Sequence, residues 1–169
     1  MKILNLGSLN LDRTYRVEHF VQAGETIPAI GYGTSPGGKG LNQSVALARA
    51  GAEVCHLGAV GSDGGELLRI LEEAGADTQF VQTLSGPSGH AIIQVTPEGE
   101  NCIIIFGGTN RQITQEMVDA ALRSFGPGDL LLLQNETSGG IRDPGGKAAR
   151  AADSLQSVAH LPGAFPVSV

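Results

Sequence analysis

Short apolar runs alternate along the chain with segments in which apolar residues recur at helical spacing. The runs at Lys2–Leu6, Glu53–Gly58 and Asp129–Gln134 are typical of buried strands, and Phe80–Thr83 indicates a further short one. The four consecutive leucines after Asp129 are typical of a central parallel strand that is covered on both faces. The pattern therefore predicts a mostly parallel sheet.

Helices are predicted between these strands. Apolar residues recur three and four positions apart in residues 41–50, 66–74 and 114–125, which predicts one buried face on each segment. Gly51 and Gly75 follow the first two segments directly, and a glycine just past the last periodic residue commonly ends a helix. The order of elements predicts an α/β fold with a Rossmann-type core, in which helices cover a mostly parallel sheet.

Two segments of β character interrupt this order. Residues 13–34 contain the β-prone pieces Thr14–Val17 and Thr26–Ile30 with few apolar residues and many charges, which predicts an exposed excursion. Residues 89–107 contain two strands joined by a loop with a glycine at Gly99, the signature of a hairpin. Together the two segments predict a small β lid that projects from the core.

Composition and charge narrow the classes of function. A chain of 169 residues with 41% hydrophobic residues is the size of one globular domain, and its net charge of −6 argues against nucleic acid or an anionic membrane as the main partner. No apolar run is long enough to span a bilayer, and the N-terminus lacks the apolar core of a signal peptide, so we expect a cytoplasmic protein. Cys55 and Cys102 each lie in an apolar run, which predicts two buried free thiols, with a disulfide as the alternative.

The candidate chemistry begins in the glycine-rich turn that opens the first predicted helix. Glycines at 37, 38 and 40 let the backbone approach a ligand, the helix N-terminus offers unpaired N–H groups, and Lys39 and Asn42 add a cation and an amide. A plain turn is the alternative interpretation. A phosphate-binding P-loop is excluded because Gly40 stands where a hydroxyl must bind magnesium, and a dinucleotide fingerprint is excluded because Pro36 replaces its third glycine.

Polar side chains also follow two of the predicted strands. Asn10 and Asp12 come after Lys2–Leu6, and Asn135 and Glu136 follow the leucine run, so both pairs belong to the carboxyl edge of the sheet. Open α/β sheets bind their ligands at this edge. For Asp12 alone, capping or solvating a turn is an equally good interpretation.

These motifs resemble the N-terminal half of the ribokinase-like carbohydrate kinases, of the phosphofructokinase B superfamily. The resemblance extends over residues 1 to about 138 in order and spacing, and the segments that carry it are Gly7-Ser8-Leu9-Asn10-Leu11-Asp12, Gly24-Glu25-Thr26, Gly37-Gly38-Lys39-Gly40-Leu41-Asn42-Gln43 and Leu133-Gln134-Asn135-Glu136.

The resemblance implies a sugar site and a reaction. The family transfers the γ-phosphoryl group of ATP, as its magnesium complex, to the hydroxymethyl group of ribose or a similar furanose, which gives ribose 5-phosphate and ADP. Lid segments at about 13–34 and 89–107 would close over the sugar and pair with the lid of a second copy to form a homodimer. The residues that it implies for binding the sugar hydroxyls are Asn10, Asp12, Gly38, Lys39, Asn42 and Glu136.

The family's later motifs are missing from this sequence. We find no Gly-Ala-Gly-Asp segment for the catalytic base, no Asn-x-x-Glu magnesium motif and no adenine pocket, so the C-terminal half of the family fold is expected to be absent. We therefore expect no catalytic residue and no ATP or Mg²⁺ site in this chain, and no activity from the chain alone. The alternative is a non-catalytic sugar-binding or dimerising module.

The last thirty residues depart from the family pattern. The expected helix and strand are replaced by a Pro-Gly-Gly interruption at 144–146 and a proline-rich end. We therefore expect a sugar-binding domain over residues 1–139 and a poorly structured or frame-shifted tail over residues 140–169. A divergent surface tail is the alternative.

Overall fold

The computed structural model describes residues 1–134, residue 137 and residues 157–160. Within them three α-helices, α1 (Lys39–Arg49), α2 (Gly65–Ala74) and α3 (Gln115–Leu122), accompany a 3₁₀ helix at Gly108–Gln112. The strands are β1 (Lys2–Leu6), β2 (Asn10–Arg16), β3 (Gly31–Gly37), β4 (Glu53–Val60), β5 (Asp77–Thr83), β6 (Gly89–Val95), β7 (Asn101–Phe106), β8 (Leu130–Leu133) and β9 (Ser157–His160).

The main sheet has the strand order β5-β4-β1-β8-β9. Strand β1 lies at its centre and pairs in parallel with β4 and β8, while β4 pairs in parallel with β5. The antiparallel pair of this sheet is β8 with β9. This arrangement confirms the predicted α/β fold with a mostly parallel sheet.

Two apolar clusters cover the two faces of this sheet. Because side chains alternate along a strand, Leu4, Leu6 and Leu57 pack on one face with Val118 and Ala121 of α3. On the other side, Leu41 of α1 packs with residues of α2 and with Val60 of β4. The alternation also places the polar Asn5 and His56, which pair in register between β1 and β4, on the face opposite α3.

The helices match the apolar periodicity, and their ends are set by local contacts. The Thr114 hydroxyl accepts a hydrogen bond from the Met117 amide and caps α3, which ends at Leu122, three residues before the predicted end. Gly51 adopts a φ of +86°, and its amide donates to the carbonyl oxygen of Ala48, so the chain leaves α1 where the glycine predicts.

The second sheet joins the two segments of β character, with the strand order β3-β2-β6-β7. Strand β2 pairs antiparallel with β3 and in parallel with β6, which is distant along the chain. One prediction here is wrong, since the strand is Gly31–Gly37 and residues 26–30 form none. The glycine-rich β3, which also contains Pro36, has little intrinsic strand propensity, and its pairing with β2 supplies the hydrogen bonds that hold it extended.

The cysteine prediction is half right. Both thiols are free, and Cys55 is buried, but Cys102 is exposed because it lies on β7, whose residues are all solvent-accessible. Burial, with a contribution from nearby Asp77, raises the pKa of the Cys55 thiol to about 11.

The predicted tail, residues 140–169, lies almost wholly outside the described residues. Its described part, Ser157–His160, runs antiparallel to β8. The expectation for the rest of the tail stays a prediction. In the part of the chain that the structure describes, no helix is both long and apolar enough to cross a membrane.

Candidate functional site

The glycine-rich turn brings the start of α1 against the chain that leaves β1. A Cβ atom on Gly40 would lie 2.4 Å from the carbonyl carbon of Gly7, and one on Gly38 would lie 2.6 Å from the carbonyl oxygen of Ser8. Gly38 also has a φ of +97°, in the left-handed region that side chains disfavour. The Leu41 amide donates to the Ser8 carbonyl at 3.0 Å. The glycines therefore allow a close approach of two backbone segments.

Asn10 and Asp12 lie beside this turn. They belong to the start of β2, two residues apart and so on one face, and they pair in register with Gly37 and Ser35 of β3. A Cβ atom on Gly37 would lie 2.0 Å from Asp12 Oδ2, so the missing side chain of Gly37 leaves the room that the carboxylate occupies. Asn10 is buried and Asp12 is half-buried. The two parts of the predicted site, the start of β2 and the glycine-rich turn, thus meet at residues 37 and 38.

Lys39 and Asn42 extend the site along the first turn of α1. They are three residues apart, which brings them to neighbouring positions on one side of the helix, and both are exposed. Asn42 is held through its backbone amide, which donates to the carbonyl of Gly38 at 3.1 Å. A cation and an amide therefore lie side by side at the helix N-terminus.

The sixth predicted residue, Glu136, lies outside the described residues. Described residues lie near it along the chain: Gln134, which directly follows β8, is buried, and the carbonyl of buried Thr137 accepts a hydrogen bond from Arg111 at 3.3 Å. The structure thus gathers Asn10, Asp12 and Gly38 with the first turn of α1 and leaves the position of Glu136 a prediction.

A residue that the motifs did not single out holds Asn10 in place. Asn110, in the 3₁₀ helix after β7, is buried; its side chain accepts from the Leu9 amide at 3.0 Å and donates to the Leu9 carbonyl at 3.1 Å. Its Nδ2 also donates to Asn10 Oδ1 at 2.9 Å. With its oxygen engaged, Asn10 presents its amino group as a donor. The signal in the sequence is a polar residue directly after Gly107-Gly108-Thr109.

The loop before β6 is fixed by a second set of hydrogen bonds. Asp63 Oδ1 accepts from the amide and hydroxyl of Ser88, at 2.9 and 2.7 Å, and the Ser88 hydroxyl accepts from the Gly61 amide. Desolvation, the largest influence, acts to raise the pKa of Asp63, but the hydrogen bonds from Ser88 outweigh it and the pKa is lowered. The β6–β7 hairpin is thereby tied at its base to the end of β4.

A series of buried polar side chains, linked by hydrogen bonds, also lies beneath the glycine-rich turn. His56, completely buried on β4, contacts the Gly7 carbonyl through Nε2 at 3.3 Å and the Ser44 hydroxyl through Nδ1 at 2.8 Å. Desolvation lowers the pKa of His56 to about 4, so the ring is neutral at ordinary pH. Asn5 links Ser44 to Gln134 at the end of β8. These contacts agree with the structural role that the position of His56 inside an apolar strand predicts.

Comparison with known proteins identifies close relatives. The sequence model of the pfkB family carbohydrate kinases matches residues 1–166, further than the end at about residue 138 that the motifs predict. Ribokinase of Haemophilus influenzae is 37% identical over 135 residues, which cover 78% of this chain and 44% of that protein. The chain thus spans about half the length of the curated relatives that it matches.

Solved structures resemble the chain over a similar extent. Ribokinase from Cryptococcus neoformans var. grubii, in complex with ADP, superposes with a TM-score of 0.69 at 36% identity, covering 80% of this chain and 41% of that one. Arabidopsis thaliana ribokinase complexed with ribose and ATP gives a TM-score of 0.57 at 29% identity, covering 69% of this chain and 41% of that one.

Proposed function

The chain belongs to the pfkB family of carbohydrate kinases, and from this premise we propose that it supplies the sugar-binding part of a ribokinase-type kinase. The proposed reaction is transfer of the γ-phosphoryl group of ATP to the hydroxymethyl group of ribose or a similar furanose. The relatives named above that carry ribose, ATP or ADP support this substrate pair.

The observation that carries the proposal is the meeting of β2 with the glycine-rich turn. Asp12 offers carboxylate oxygens that accept, Asn10 offers an amino group that donates, and Lys39 donates from the adjoining helix turn. A furanose presents several hydroxyls, each able to donate and accept. Donors and acceptors held on rigid element ends suit such a ligand.

The parts of the reaction that involve the nucleotide are proposed to depend on residues beyond this site. Among the described residues, no group of three or more His, Cys, Asp or Glu side chains comes together as a metal site. No residue here is therefore assigned to Mg²⁺, and no step is derived through it. The printed sequence contains no Gly-Ala-Gly-Asp segment, so we propose that the chain alone binds sugar without phosphorylating it.

Calorimetric titration of the purified chain with ribose, with and without Mg·ATP, tests the proposal. We expect ribose to bind, and Asp12→Asn to weaken binding by about tenfold or more, because hydrogen bonds to charged groups contribute about 1.5–3 kcal/mol. Glu98→Gln, an exposed carboxylate in the β6–β7 loop, is the matched control. No heat from a chain shown to be folded would contradict the proposal, and turnover of ribose by the chain alone would contradict its second part.

A dimerising module is the second candidate, and the exposed strand β7 favours it. Ile103, Ile104, Ile105 and Phe106 are between 48% and 64% exposed, a run of large apolar side chains of the kind that marks an interaction surface. We propose that this sheet, as the lid, pairs with the same sheet of a second copy. The cytoplasmic location stays a prediction.

A further inference from the structure

Among the residues that the structure describes, two buried side-chain atoms where the end of β8 meets the start of α1 have no hydrogen-bond partner. They are Gln134 Oε1, an acceptor, and Gln43 Nε2, a donor. Gln134 is 7% exposed, and its own Nε2 donates to Gln43 Oε1, so the two side-chain amides are in direct contact and each of them carries one open atom. A buried polar atom without a partner is costly. The two open atoms therefore form a place where a further polar group would be stabilised.

A backbone carbonyl fixes which end of each side-chain amide, in Gln134 and in Gln43, is the oxygen and which is the nitrogen. The carbonyl of Gly40 can only accept, so the group of Asn5 that faces it at 3.0 Å is the amino group. Asn5 Oδ1 is then left to accept from Gln134 Nε2 at 2.7 Å. Turning over the Gln134 amide would bring two acceptors together at Asn5. Turning over the Gln43 amide would bring two donors together at Gln134.

The hydrogen positions at the other end of this series of hydrogen-bonded side chains, at His56, are fixed in the same way. The Gly7 carbonyl can only accept, so His56 Nε2 carries the ring proton, and Nδ1 accepts from the Ser44 hydroxyl. The Ser44 oxygen in turn accepts from Asn5 at 2.8 Å. Asn5, Ser44 and His56 are completely buried, so water does not compete for these contacts. The two glycine carbonyls thereby fix the position of every hydrogen that is shared between these hydrogen-bonded side chains.

The open pair lies under the candidate site. A Cβ atom on Gly7 would be 2.1 Å from Gln134 Oε1 and 2.4 Å from Gly40 Cα, so the open acceptor is at the contact between β1 and the start of α1. Gln43 directly follows Asn42 on that helix. Whatever fills the open pair is therefore a neighbour of the glycine-rich turn.

We propose that Gln43 Nε2 and Gln134 Oε1 bind one hydroxyl oxygen, which accepts from Gln43 and donates to Gln134. A carboxylate or carbonyl can only accept and an ammonium can only donate, so neither satisfies both atoms. The hydroxyl comes from a bound sugar or from a water molecule that underlies it. The sugar case rests on the proposed function, and the water case does not.

Nuclear magnetic resonance on the ¹⁵N-labelled full chain tests the proposal. Without ligand, we expect a long-lived water to give cross-relaxation peaks with the side-chain amide protons of Gln43, and we expect His56 to carry its proton on Nε2. When ribose is added, peaks from ribose in place of those from water identify a sugar hydroxyl, and unchanged water peaks identify a water. Absence of both sets of peaks would overturn the proposal.

A substitution distinguishes the sugar from the water molecule as the source of the hydroxyl. Gln43→Glu keeps the acceptor that Gln134 uses and replaces the open donor by a second acceptor. A water has two protons and can donate to both open atoms, whereas a sugar hydroxyl has one. If the source is the sugar, ribose affinity falls about tenfold or more, since the hydroxyl meets a charged group that it cannot satisfy. Unchanged affinity in this variant excludes the sugar source. Gln82→Glu, exposed at the end of β5, is the control.

The same experiment distinguishes failure of this proposal from failure of the proposed function. If ribose does not bind at all, the sugar-binding function fails, while the water peaks at Gln43 still decide whether the open pair holds an oxygen. If ribose binds and Gln43 shows neither water nor ribose peaks, the function stands and this proposal fails.

Discussion

The substitution Gly40→Ala should destabilise the fold and the sugar site together. Ordinary contacts of a Cβ atom begin near 3.4 Å, and the added methyl would lie 2.4 Å from the Gly7 carbonyl carbon and 2.5 Å from the Ser8 nitrogen. The start of α1 would therefore have to move about 1 Å away from β1, since these neighbours are backbone atoms that cannot rotate aside.

The expected cost follows from two opposing terms. Overpacking of this kind costs about 1–3 kcal/mol, and alanine returns up to about 1 kcal/mol over glycine through its helix propensity. We expect a net loss of about 1 kcal/mol or more in the free energy of unfolding. With a urea slope of about 2 kcal/mol per M, the unfolding midpoint should fall by about 0.5 M or more.

The matched control is Gly65→Ala, at the start of α2. A Cβ atom there would meet nothing within 4 Å, so the helix-propensity gain should appear alone and the midpoint should stay or rise. Urea unfolding followed by circular dichroism gives both midpoints, and ribose titration shows whether the displaced helix start weakens binding. If Gly40→Ala unfolds at the same urea concentration as Gly65→Ala, the close approach of α1 to β1 is refuted.

Three further predictions use the described contacts. Asn110→Ala leaves the buried amide and carbonyl of Leu9 without partners and should lower the free energy of unfolding by about 2 kcal/mol or more in urea titration; an unchanged midpoint would contradict this. The pKa of His56 is about 4 in the folded chain and about 6.5 when unfolded, so between these pH values only the unfolded state binds the extra proton. The free energy of unfolding should therefore fall by roughly 3 kcal/mol as the pH drops through this window. In urea unfolding at a series of pH values, His56→Phe should remove that part of the pH dependence. Ile104→Lys, on exposed β7, should shift a dimer to a monomer in sedimentation velocity, whereas Gln82→Lys, exposed on β5 of the main sheet, should not; dimers that persist in both would exclude β7 as the interface.

The apolar pattern alone was sufficient to predict the strands and helices that form the core. The leucine run at 130–133 became β8 beside β1, and the periodic segments became α1, α2 and α3. These elements are predictable because burial of one face or of a whole strand is a local property of the sequence. Helix ends were less accurate, as at Leu122, because local hydrogen bonds decide where the last turn stops.

The second sheet shows where local patterns fail. Its strand β3 is rich in glycine and contains Pro36, so its sequence predicts a turn, yet it pairs with β2 along seven residues. The exposed Cys102 was misjudged for a related reason, since an apolar run does not reveal whether a neighbouring layer covers it. Strand pairing and cover are supplied by segments that are distant along the chain.

For the candidate site, the sequence by itself determined the residue types and their grouping. The glycine-rich turn, Asn10 and Asp12 are recognisable because close backbone approach requires glycine and a polyol requires paired donors and acceptors. Only the tertiary structure decided which atoms are engaged. Asn110 holds Asn10 from 100 residues away, and Gln134 bonds Asn5 from 129 residues away. Which hydrogen-bonding atoms remain open to a ligand depends on contacts between distant segments, and sequence spacing carries no record of them.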